Sequence, residues 1–95
     1  MLPVPLKRVI NKTVADLGPG QSGRVARVAG ADAMAVRLLE MGFVPDVAVA
    51  VRKLAPLGDP MELRLRGYHV SVRKEEARRI VLRPTGSPAD EGDGA

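Results

Sequence analysis

Cysteine is absent from this 95-residue chain, which removes disulfides and thiolate metal sites from consideration. Tryptophan is absent as well, and there is one Phe, one Tyr and one His. A core built from such a chain has to be filled by Val, Leu, Ala and Met. Stacking platforms for single-stranded nucleic acid, worth about 1–3 kcal/mol per base, have almost no candidates. No apolar run approaches the roughly 20 residues that a membrane-crossing helix needs. The opening MLPVPLKRVINK places its basic residues after its apolar ones, the wrong order for a secretory signal. These absences together predict a soluble, intracellular chain.

Reaction chemistry is just as sparse. His69 has no companion at metal-ligand spacing, and Ser22 and Ser71 stand without a neighbouring base. GPGQSG lacks the Gly-Lys-Ser/Thr ending that grips phosphate and magnesium, so it reads as a strand turn. Glu75 and Glu76 diverge on a helical turn and read as a solvated face. No catalytic, metal-ligating or cofactor-binding residues are expected, and the chain is not expected to be an enzyme.

Charge is what the chain does have, and it is unevenly placed. Residues 1–83 hold all 15 Lys and Arg against 8 acids, while Pro84 to Ala95 hold Asp90, Glu91 and Asp93 with no base. A basic body suits nucleic acid, anionic lipid or an acidic protein surface without choosing among them. Composition divides the chain into a loose leader (1–12), one folded domain (13–83) and an acidic tail (84–95) too polar to offset its ordering entropy.

Within the domain, LGPGQSG is turn punctuation. GRVARVAG reads as a strand whose broken alternation suggests a bulge. ADAMAVRLLEMG is a helix, with Asp32 as N-cap and Gly42 as its left-handed stop. VAVAVRKL is a strand with Val47, Val49 and Val51 on one face. MELRLRG and YHVSVR alternate cleanly and turn at Gly67, with Arg64, Arg66 and Arg73 outward. KEEARRI gives a short helical turn before a last strand, IVL. Short strands, glycine turns and one inserted helix predict a mainly β fold, a small bent barrel.

The helix is apolar over more of its circumference than one core contact requires. At about 100° per residue, Met34, Leu38 and Met41 share a stripe, while Val36 lies nearly opposite and only Arg37 and Glu40 are polar. Either Val36, Leu39 and Phe43 pack against the leader or a loop, or Leu39 and some of Val36, Met41 and Phe43 stay exposed and dock on a partner. The docking reading assigns Val36, Arg37, Leu39, Met41 and Phe43 to the contact. The loop APLGDP, with Gly58-Asp59 at its tip, is a second candidate surface.

The order VADLGPGQSGRVARV, RLLEMGFVPD, APLGDPMELRLRG and SVRKEEA resembles the FeoA family, ferrous iron transport protein A, over about residues 14–82. The resemblance implies an SH3-like β-barrel with the helix inserted between strands. It also implies a non-catalytic cytoplasmic accessory of FeoB, the membrane transporter with a GTP-binding domain that moves ferrous iron inward, so that this chain touches the membrane only through its partner. A basic barrel that binds nucleic acid is the alternative. Self-association through an exposed strand edge or the same helix face stays open.

Overall fold

A computed structural model describes residues 12–84, and the leader and tail expectations fall outside them except at their inner ends. Five strands form one antiparallel sheet: β1 (Ser22–Val28), β2 (Ala48–Leu54), β3 (Met61–Leu65), β4 (Tyr68–Val72) and β5 (Ile80–Leu82). Their spatial order is β4-β3-β2-β1-β5. Helix α1 (Ala33–Met41) is inserted between β1 and β2, and the short α2 (Lys74–Ala77) precedes β5. The domain is mainly β, as the residue pattern predicts.

Alternation dictates the β3–β4 hairpin. Met61, Leu63, Leu65 and Val72 are buried, whereas Arg64, His69 and Ser71 are exposed. The strands pair from Met61↔Val72 to Leu65↔Tyr68, which leaves a two-residue turn at Arg66 and Gly67. Both turn residues have positive φ, 51° and 86°, the geometry whose twist matches that of the flanking strands.

The sheet bends where its registers slip. One irregularity lies between Val25 and Arg27, where the broken period of GRVARVAG suggested a bulge. A second, between Val51 and Lys53, leaves both Arg52 and Lys53 on the surface. β1 also divides its pairing: Ser22, Gly23 and Arg24 face β2, while Val25 to Val28 face β5. Bulges raise local twist and bend a strand, and the sheet curls around one apolar core. On the outer side of β5, Thr13 bridges Val81 and the Leu82 amide donates to the Lys12 carbonyl at 2.8 Å. A 3-10 turn at Val14–Asp16, absent from the sequence-based expectations, buries Val14 completely.

Helix α1 starts and stops at the predicted residues. The Asp32 carboxylate accepts from the Ala35 amide at 3.2 Å. At the other end Gly42 has φ 115°; its amide donates to the Leu39 carbonyl, and the Phe43 amide donates to the Leu38 carbonyl. That pair of bonds is a Schellman closure, which commonly brings the residue after the glycine onto the apolar face of the last turns. Phe43 and Leu38 accordingly join the same core, both at 0% exposure.

Candidate partner-binding surface

The two sides of α1 have different surroundings. Ala35 and Leu38 are buried, and Met34 and Met41 pack half-buried on the core. On the opposite side Val36 is 48% and Leu39 42% exposed. Residues three apart are neighbours on a helix surface, so these two form one small apolar strip. A third half-exposed apolar body adjoins the end of the helix: the Tyr68 hydroxyl donates to the Met41 carbonyl at 2.5 Å. A Cβ at position 42 would lie 2.6 Å from that hydroxyl, so the glycine provides room as well as the left-handed turn.

Of the residues expected at a contact, Val36 and Leu39 are accessible and Met41 is partly so. Phe43 is not: the Schellman closure turns it inward, and the expectation that it stays exposed is corrected by its burial. Arg37 is half-committed to another role. Its guanidinium pairs with the Glu76 carboxylate, which also accepts from the Arg73 amide at 2.8 Å. Glu76 is only 6% exposed, so it is no part of the solvated face assigned to it by sequence, although Glu75 is exposed. A carboxylate removed from water needs such partners, and Arg37 supplies one from α1.

A second ion pair holds the start of the helix. Arg79 donates in a fork to Asp32, at 2.6 and 2.9 Å. The Arg79 hydrogen bond, aided by the Ala35 amide, lowers the Asp32 pKa to about 2. Helix α1 is therefore tied at two levels to the segment that carries α2 and enters β5. Periodicity carries no signal for these ties, because Asp32 and Arg79 are 47 residues apart in the chain.

In the loop 55–60, the Gly58 amide donates to the Ala55 carbonyl at 2.7 Å and the Lys74 amide to Asp59 Oδ1 at 3.0 Å. The outermost side chain is Leu57, with φ 72° and 102% exposure, in place of the Gly58-Asp59 tip expected from sequence. Among the basic residues, Arg52 pairs with Glu62, Arg83 with Asp46, and Arg24 donates to the Asp46 carbonyl at 2.9 Å. Arg64 and Arg66 have no ion-pair partner among the described residues. His69 is exposed on β4, and no group of three or more His, Cys, Asp or Glu among the described residues is placed to hold a metal ion. No described helix is long and apolar enough to cross a membrane.

Comparison with known proteins gives a consistent result. The model of the FeoA domain matches residues 12–84. A curated relative from Porphyromonas gingivalis, an Fe(2+) transport protein A/Fe(2+) transporter FeoB fusion protein, is 37% identical over 81 residues. The match takes in 80% of this chain and 10% of that protein, so the chain spans about a tenth of the relative's length. The solution structure of a FeoA-like protein from Clostridium acetobutylicum superposes with a TM-score of 0.73 at 27% identity, covering 81% of this chain and 90% of that one. FeoA of Stenotrophomonas maltophilia, described as a prokaryotic SH3-domain protein and crystallised with zinc, gives 0.68 at 30% identity, covering 76% and 89%. The bent five-stranded sheet with its inserted helix is thus an SH3-like fold, and the chain belongs to the FeoA family, associated with ferrous iron transport.

Proposed function

We propose that this chain is a non-catalytic cytoplasmic accessory protein of ferrous iron uptake that binds a FeoB-type transporter and regulates it. The contact is the outer side of α1: Val36 and Leu39 at its centre, Met41 at its edge, and the charged part of Arg37 at the rim. The observation that carries this reading is the exposure of Val36 and Leu39 on a helix whose other side is already satisfied by the core. The P. gingivalis relative joins the two proteins in one polypeptide, which supports FeoB as the partner. A few apolar anchors surrounded by polar groups can carry most of an interface's energy.

Leu39→Asp tests the reading. It introduces a charge at the centre of the strip, which should weaken co-purification with the transporter by roughly 30-fold or more, the scale of a 2 kcal/mol anchor. The free protein's thermal midpoint should stay within a few degrees. Undiminished capture by the variant would remove α1 from the contact. The protein alone, assayed for nucleotide hydrolysis, is expected to show none.

A further inference from the structure

The outer face of the sheet carries a feature that transporter docking through α1 does not use. Ser22, Ala50, Arg64 and His69 lie in one register row across β1, β2, β3 and β4. With Ala48 and Arg66 they line a shallow groove of about 520 Å³. Its floor is small and apolar, and its far side carries two guanidinium groups and an imidazole. The neighbouring Arg52 is neutralised by Glu62, whereas Arg64 and Arg66 have no ion-pair partner among the described residues. An extended acidic peptide fits this chemistry: its backbone lies across alanines while carboxylates meet the arginines in the forked geometry that guanidinium favours.

The chain contains such a peptide. Between Pro84 and Ala95 it has three acids, Asp90, Glu91 and Asp93, and no base. β5 runs antiparallel to β1, with Leu82 opposite Val25 and the Arg83 amide bonded to the Arg24 carbonyl at 2.9 Å. The chain therefore leaves the sheet heading toward Ser22, the near end of the row. Strand spacing puts Arg64 about 10 Å and His69 about 14 Å beyond Ser22. The six residue-to-residue steps from Pro84 to Asp90 can span about 20 Å when extended, so the first carboxylate can reach both.

We propose that the acidic segment Asp90–Asp93 docks across the Arg64–Arg66–His69 groove of its own barrel and holds it against other polyanions. Exposed ion pairs are individually weak. The tether compensates by keeping the segment at millimolar effective concentration. The docking is therefore dynamic and salt-sensitive, a built-in competitor that any anionic partner of this face has to displace.

The test uses the full chain carrying Asp90→Asn, Glu91→Gln and Asp93→Asn, followed by amide NMR at low ionic strength. Neutralisation should shift the Ser22 and Arg64–His69 amides and leave those of α1 in place. Raising salt to about 0.5 M should move the same signals in the unaltered chain, because screening then acts within a few ångströms. In an Arg64→Gln, Arg66→Gln background the neutralisation should become silent at the groove. Unchanged groove signals on neutralisation, or equal shifts in both backgrounds, would overturn the proposal. A single-stranded oligonucleotide should bind the neutralised chain several-fold more tightly than the unaltered one. Equal affinity would assign the groove to nucleic acid and sink the tail's claim to it.

Discussion

The two sides of α1 are made from the same kinds of residue and have different neighbours. Leu38 and Leu39 are adjacent in sequence; one is fully buried and the other 42% exposed. Hydrophobicity alone does not separate them. What does is the 100° step of the helix together with the two ties, Asp32 to Arg79 and Arg37 to Glu76, that fix its rotation over the barrel. A core side and an exposed apolar side thus coexist on one nine-residue helix, and substitutions on them should have separable consequences.

The largest effect should come from the core side. Phe43→Ala removes the largest fully buried side chain and should cost about 3–5 kcal/mol in chemical denaturation. A loss under 1 kcal/mol would return Phe43 to the surface and undo the distinction. Next comes the tie at the middle of the helix. Arg37→Ala leaves Glu76 with its amide partner alone and should cost about 1–2 kcal/mol, because Arg37 is itself solvent-facing and the buried-pair penalty is partly relieved. If Arg37 served the rim only, stability would not change.

The tie at the helix start should be visible in acid. The folded-state pKa of Asp32 lies below its ordinary value of 3.8, at about 2. Its contribution is therefore complete above about pH 4 and declines as pH falls toward 2. Thermal midpoints of the unaltered chain and of Asp32→Asn should differ at pH 5 and converge near pH 2. A difference that persists at pH 2 would assign the effect to something other than this carboxylate. The smallest change in stability is expected from Leu39→Asp, the substitution expected to damage partner binding most.

How far the sequence showed all this depends on whether a feature is periodic. The hairpin from Met61 to Val72 was legible because strict alternation, broken at Arg66-Gly67, specifies both the strands and their turn. The helix ends were legible because Asp32 and Gly42 are local signals. The exposed strip followed from the width of the apolar arc, which left two alternatives that only tertiary packing decides. Phe43 was misplaced because the residue following the helix stop was assigned to the contact, whereas the Schellman closure turns it back onto the core. Glu76 was misread because burial of a single carboxylate depends on Arg37, 39 positions away. Tyr68 and Arg79 escaped for the same reason: each acts through long-range hydrogen bonds that have no spacing to recognise.

The separation of the two sides can be tested in one titration. Amide spectra of the full chain would be followed as the soluble cytoplasmic part of a FeoB-type transporter is added. Shifts centred on Val36 and Leu39 are expected, with little change at the Ser22–Arg64–His69 row. Shifts centred on that row, with α1 silent, would contradict it.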